Sequence, residues 1–245
     1  MTVSLRCNVG STMWMAAIGG AAAAAGSMAW AVRSPRSSVL APSVHRGDPH
    51  RKSIAITFDD GPSESTPRLL EALARHGARA TFFHCGANVE RVPAVARQVA
   101  AAGHELGNHT YSHPMIQFKS SEFIYSEMRR AQSVIEQTAG VAPVLFRAPY
   151  GVRWFGLREA QRRLNLLGVM WTVIALDWKL TAEAAARRIL RGSCPGAIVC
   201  LHDGRGTRKD PDISATIDTI QRVLPVWADW GYQFETVSQI LCKTN

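Results

Sequence analysis

Short apolar runs alternate with amphipathic stretches from about residue 53 to the C-terminus. Ser53–Phe58, Ala80–His84, Val144–Phe146, Gly168–Val173, Ala197–Leu201 and Tyr232–Glu235 are brief and apolar, and predict strands. Between them, Thr66–His76, Pro93–Ala102, Glu122–Thr138, Leu157–Leu167, Ala182–Arg191 and Ile213–Trp230 predict helices. Pro67 and Pro93 suit first-turn positions, and Gly77, Gly103 and Gly140 suit helix ends. Such alternation predicts an α/β fold, a parallel sheet with covering helices. Polar clusters follow several different strands. This favours a closed or distorted (β/α) barrel over an open sheet, because barrel active sites gather at the C-terminal ends of strands. There is no GxGxxG or GxxxxGK[ST] loop to support a nucleotide fold.

The N-terminus departs from this pattern. Val9–Val32 is a 24-residue run without a charge, rich in Ala and Gly, with one Ile and no Leu. Its length suffices to cross a bilayer, which takes roughly 20 helical residues, but its insertion energy is modest. Residues 1–32 therefore read as a signal peptide, with small residues around Ala29-Trp30-Ala31, or as an N-terminal membrane anchor. Basic residues lie on both sides, so the positive-inside rule does not choose between the two. Either reading exports the body to the cell surface. Residues 33–50, rich in Ser, Pro and Arg, read as a linker. The folded domain then spans 51–241, and a chain starting near Gly47 is expected to fold and stay active.

Composition fits one globular domain of 245 residues, with 47% hydrophobic and 19% charged residues. Of the +9 formal charge, residues 1–52 hold six Lys/Arg and one acid, leaving 22 bases against 18 acids elsewhere. The body is only mildly basic, with no arginine-rich or basic-aromatic run, so nucleic acid is not an expected partner. Five Cys, an odd number without a CxxC pair, imply no disulfide framework. Oligomeric state is not legible.

Four separated pieces carry the candidate chemistry: Thr57-Phe58-Asp59-Asp60-Gly61, His109-Thr110-Tyr111-Ser112-His113, Arg147-Ala148-Pro149-Tyr150-Gly151 and Leu201-His202-Asp203. Adjacent Asp side chains leaving a strand diverge, so one can bind metal while the other faces an attacking water. The plain alternative is an acidic turn capping a helix. His109 and His113 can share a metal, and Gly107-Asn108 and Pro114 around them argue for a turn at a strand end. With Asp60 they offer one carboxylate and two imidazoles, a set that leaves coordination open, as metal-assisted hydrolysis requires. Zinc is the default divalent ion for such donors, although they also take others. Arg147 can hold a carboxylate in fixed geometry, and the Tyr150 N–H can face a developing oxyanion. His202, with an ordinary pKa near ~6.5, is a candidate general acid. Strand alternation puts Cys200 beside it on the site wall and Leu201 on the other layer.

Together these motifs, with the Asp177-Trp178 pair, resemble the polysaccharide deacetylase family, the NodB-homology domain of carbohydrate esterase family 4. The resemblance covers about Arg51 to Leu241. It implies a distorted (β/α) barrel and metal-dependent removal of N-acetyl groups from N-acetylhexosamine glycans, peptidoglycan-like or chitin-like. By match to its motifs, Asp59 would be the general base, Asp60, His109 and His113 the metal ligands, and Arg147 the orienter of Asp59. His202 would be the general acid and Trp178 a wall of the acetyl pocket. The family's fourth motif usually reads Asp-x-x-Asp-Trp. Ile174 stands at its first position, so Asp177 is the expected support for His202. Strand alternation would put these two positions on opposite faces. O-acetyl ester hydrolysis, deformylation of a lipid-linked sugar and an inactive glycan-binding relative are the competing readings.

Overall fold

The computed structural model describes residues 9–242. Helix α1 (Val9–Arg33) and a two-residue strand β1 (Ser43–Val44) precede an alternating body. The body runs β2 (Ser53–Gly61), α2 (Thr66–Ala74), β3 (Thr81–His84), α3 (Gly86–Arg91), α4 (Pro93–Ala101) and β4 (Glu105–Asn108). It continues through α5 (Ser121–Ala139), β5 (Leu145–Phe146), α6 (Leu157–Leu164), β6 (Leu167–Val169), β7 (Val173–Ile174) and α7 (Ala182–Gly192). It ends with β8 (Ala197–His202), α8 (Ser214–Asp229), β9 (Gln233–Glu235) and α9 (Val237–Leu241).

The strands lie in the order β1-β6-β5-β4-β3-β2-β8-β7, with β9 added beside the start of β2. Every pairing between these strands is parallel. β1 and β7 end the path, so the sheet curls without closing, the distorted barrel expected from the alternation. Side-chain alternation along β2 sorts its two faces. Ile54, Ile56 and Phe58 join the outer core under the helices, with Phe82 from β3 and Val199 and Leu201 from β8. Ala55, Phe83 and Ile198 point inward, where Val237 and Ile240 of α9 plug the bottom of the barrel. The inward positions nearer the strand ends, Thr57, Asp59, Cys200 and His202, are polar. Thus one alternation builds the core below and the site above.

Two strands differ from the expected pattern. Gly168–Val173 is not one strand. Met170–Thr172 leave the sheet and cross its opening, the Met170 amide donating to Val44 (2.7 Å) and the Thr172 amide to Ile198 (2.8 Å). β4 has no apolar run to announce it. Its Gly107 is required because a Cβ there would meet the Phe83 ring at 2.4 Å.

Within the stretch read as a linker, β1 pairs with β6. Arg46 donates to the Pro195 carbonyl at 2.8 and 3.1 Å, and Ala41 is buried. A two-residue strand has too little periodicity to be seen in sequence. Residues 19–30 of α1 are exposed, whereas Ala31 and Val32 are buried and the Arg153 amide donates to the Val32 carbonyl (3.0 Å). Among the described residues no helix is long and apolar enough to cross a membrane. Cys7 and Arg6, which precede the apolar run, lie outside the described residues. The expectation for a chain starting near Gly47 is revised accordingly. A chain starting at Ala31 should melt with the full-length protein. One starting at Gly47 loses Val32, Ala41 and β1, about 2–3 kcal/mol of apolar burial, and should melt roughly 5–10 °C lower. Equal melting temperatures would show that residues 31–46 add nothing.

Candidate active site

β2 delivers two carboxylates by breaking its own alternation. Asp59 follows the strand and points inward. Asp60 adopts a left-handed backbone (φ 71°), and the register against β3 slips between Asp59 and Gly61. The two side chains therefore diverge. Gly61 is forced by close approach, since a Cβ there would lie 2.2 Å from the Asp203 carboxylate. That carboxylate accepts from the Thr66 hydroxyl (2.8 Å), and burial foremost, with the Asp60 charge, pushes its pKa up to about 7.

Asp60 faces two imidazoles. Its Oδ1 lies 3.3 Å from His109 Nε2 and 2.9 Å from His113 Nε2, and its Oδ2 accepts from the Gly206 amide at 2.8 Å. Burial alone would raise the Asp60 pKa, but the two imidazole contacts hold it well below the usual carboxylate range. His109 follows β4 directly, and His113 sits in a left-handed turn (φ 58°), so the pair belongs to a loop and not a helix. His109 Nδ1 stands 2.7 Å from the Arg147 carbonyl. Donation there fixes the tautomer and turns the Nε2 lone pair to the cleft, the outer support usual for metal-binding imidazoles. The three donor atoms lie within 4.8 Å of one another. One carboxylate and two oriented imidazoles fit a divalent ion such as zinc.

Asp59 is held from behind. Arg147, 1% exposed, donates from Nη1 to Asp59 Oδ1 and to Thr57 Oγ1, both at 2.7 Å. Its other nitrogens donate to the Val169 and Met170 carbonyls at 3.2 Å, and its guanidinium covers the Phe83 ring at 4.2 Å. A buried charge so fully paired fixes its partner in place. Asp59 Oδ2 accepts from the Cys200 thiol at 3.4 Å. Burial, then the Asp59 charge, raises the thiol's pKa well above its usual value.

Across the cleft, His202 Nδ1 lies 2.9 Å from Asp177 Oδ1, and the His202 amide donates to Oδ2 at 3.1 Å. Thr216 Oγ1 donates to the same Oδ2 at 2.6 Å. Burial alone would lower the His202 pKa. The charge and hydrogen bond of Asp177, with Asp60 and Asp59, outweigh it and push the value up to about 9. Asp177 sits after the end of β7, in a turn behind Leu176 (φ 60°), so strand alternation does not place it. Ile174, paired with Cys200, lines the cleft instead.

These groups open on one cleft of about 590 Å³, lined by Asp59, Asp60, His109, His113, Tyr150, Trp178, Cys200 and His202. Arg147 and Asp177 stand behind it. Tyr150 has a left-handed backbone (φ 58°) and packs edge-on to His113, and Trp178 packs edge-on to His202. The amides of Gly151 and Val152 close the turn around Tyr150. The sequence-selected residues are thus brought together.

The profile described as polysaccharide deacetylase matches residues 46–169, half of the chain. The chain belongs to the polysaccharide deacetylase family. A peptidoglycan-N-acetylglucosamine deacetylase of Bacillus cereus is 31% identical over 193 residues, 78% of this chain and 69% of that protein. Among solved structures, the Bc1960 peptidoglycan N-acetylglucosamine deacetylase superposes with a TM-score of 0.77 at 29% identity, covering 83% of this chain and 94% of that one. BA3943 of Bacillus anthracis, a pseudoenzyme of carbohydrate esterase family 4, gives 0.75 at 27%, covering 82% and 69%. Kinship with both means that the residues in the cleft, rather than the fold, must carry any argument about catalysis.

Sequence reasoning missed several residues that build this polysaccharide deacetylase cleft. Glu127 of α5 accepts from the Tyr111 and Ser112 amides (3.1 and 2.8 Å), holding the loop between His109 and His113. Asn88 donates to the carbonyls of Asp60 (2.7 Å) and Gly206 (2.8 Å). Trp171, Arg205 and Arg208 line the cleft. An acid on an amphipathic helix and an Asn near a loop look like solvated surface. Only the fold distinguishes them.

Proposed function

We propose that this chain hydrolyses the N-acetyl groups of an N-acetylhexosamine glycan outside the cytoplasm, with peptidoglycan as its substrate. The observation that carries the reading is the opposition of two differently supported groups across one cleft: Asp59 locked by Arg147, and His202 backed by Asp177. The names of the B. cereus relative and of Bc1960 support the choice of glycan.

Asp60, His109 and His113 would hold one divalent ion, for which zinc is the best match to the donor set. When bound, the ion supplies Lewis acidity to the amide carbonyl and acidity to water. The remaining work falls to the chain. Asp59 Oδ2 takes the proton from the attacking water, because Arg147 already occupies Oδ1. The amide of Tyr150 faces the carbonyl oxygen as negative charge develops there. His202, protonated below about pH 9, gives its proton from Nε2 to the departing sugar nitrogen, while Asp177 steadies the imidazolium. Trp178, Tyr150 and Cys200 wall the pocket around the acetyl group. An inactive relative has no need for both an arginine-held carboxylate and a carboxylate-backed imidazole. The uncharged N-terminal run supports export by a signal segment, consistent with a cell-wall substrate.

Acetate release from peptidoglycan, chitin oligomers and an O-acetylated polysaccharide tests the reading. Release from N-acetylated glycans, largest with peptidoglycan, is expected. Release only from the O-acetylated polymer would replace the amidase by an esterase.

A further inference from the structure

A second set of donors stands in the same cleft. The parallel register of β2 and β8 puts Thr57 beside Cys200 and Asp59 beside His202. Neighbouring strands therefore aim a carboxylate, a thiol and an imidazole into one space. One donor atom from each of Asp59, Cys200 and His202 lies within 4.8 Å of the others. Cys200 Sγ and Asp59 Oδ2 are 3.4 Å apart. Sulfur at about 2.3 Å and oxygen at about 2.0 Å from a tetrahedral zinc stand about 3.5 Å from each other. The pair already has the spacing that shared ligation demands.

Outer support for these donors is also in place. Arg147 takes Asp59 Oδ1 and leaves Oδ2 on the thiol side. Asp177 takes His202 Nδ1 and leaves Nε2 to the cleft, a carboxylate–imidazole pairing that orients metal ligands. Hydrolysis asks nothing of the sulfur but bulk, so a donor of this softness is unexplained by the reaction. Thiolate and imidazole together select zinc-like and softer ions over magnesium or calcium.

We propose that Asp59, Cys200 and His202 form a second site for a thiophilic divalent cation, zinc or cadmium, distinct from Asp60, His109 and His113. Ligation replaces two protons by the metal, that of the Cys200 thiol and that on His202 Nε2, both released to solvent. On the reading of Asp59 and His202 as base and acid, a cation there occupies both at once. Excess zinc then inhibits the enzyme that the first ion serves.

The test is a cadmium titration of the metal-free full chain. Bound cadmium is counted by elemental analysis, and the ultraviolet sulfur-to-cadmium charge-transfer band is recorded. Wild type should bind two cadmium ions per chain and develop the band. Cys200→Ser and Cys200→Ala should each bind one and show no band. His109→Ala/His113→Ala should also drop to one ion yet keep the band, which separates this site from the one proposed for hydrolysis. Wild type without the band, or a band that survives in both Cys200 variants, would overturn the proposal. So would a band lost with the histidines. Loss of no cadmium in the double histidine variant would instead count against the first site alone.

Discussion

Asp59→Asn should lower turnover by about 10²–10⁴-fold while the chain keeps its full complement of bound metal at the Asp60 site. Asn is nearly isosteric, so the cleft keeps its shape, but it cannot take a proton from water. Asp60, His109 and His113 do not depend on the Asp59 charge for their contacts with one another. A near-normal rate in Asp59→Asn would move the base elsewhere. Arg147→Ala should act by another route. It leaves the Asp59 carboxylate buried without its partner, a loss of about 3–5 kcal/mol for a desolvated pair. Its activity should fall together with its melting temperature. Asp59→Asn leaves the buried Arg147 guanidinium without its partner charge and should also melt lower, but its loss of rate should stand at temperatures where the chain is fully folded. Elemental analysis, steady-state kinetics and thermal denaturation separate the two.

The alkaline limb of the pH–rate profile should belong to His202, and Asp177→Asn should shift it to lower pH. The sign follows from the protonation state required. His202 acts as an acid only when charged, and although burial would lower its pKa, Asp177 with Asp60 and Asp59 raises it from 6.5 to about 9. Rate should therefore persist through neutrality and fall as pH rises through about 9. The same raised value makes the pair a source of stability below pH ~6.5 that fades as pH passes about 9. Removing the Asp177 charge leaves burial unopposed by its largest counterweight, and the limb should retreat toward or below 6.5. Ile174→Asp should leave it in place, because Ile174 lies on the cleft wall while Asp177 already occupies His202 Nδ1. A shift in Ile174→Asp and none in Asp177→Asn would mean that the carboxylate partner is missing and Ile174 marks its loss. An unchanged limb in both, with an active His202→Ala, would remove His202 from the mechanism.

What the sequence disclosed, and what it hid, follows from range. Strands such as Ser53–Phe58 and Ala197–Leu201 are buried on both faces, so continuous apolar runs announce them and the motif residues at their ends. The pairing of His202 with Asp177 was legible through the motif. Its geometry was not, because a left-handed Leu176 and not strand alternation brings the carboxylate round. β4 was invisible because its Gly107 makes room for Phe83, a contact between neighbouring strands that no local pattern records. β1 was hidden by a composition of Ser and Pro that reads as linker. Glu127 and Asn88 act on loops far away in sequence, so their roles exist only in the folded chain.

Deacetylation of an N-acetylated glycan should need one divalent ion on Asp60, His109 and His113. The direct measurement is acetate and free amine released from peptidoglycan by metal-stripped enzyme as zinc is added back. No release is expected without metal. With zinc, acetate and amine should appear in equal amounts, and activity should be complete at one ion per chain. The double His109/His113 alanine variant should not recover at any zinc concentration. Full activity of the stripped enzyme, or of that variant, would contradict the requirement for the ion.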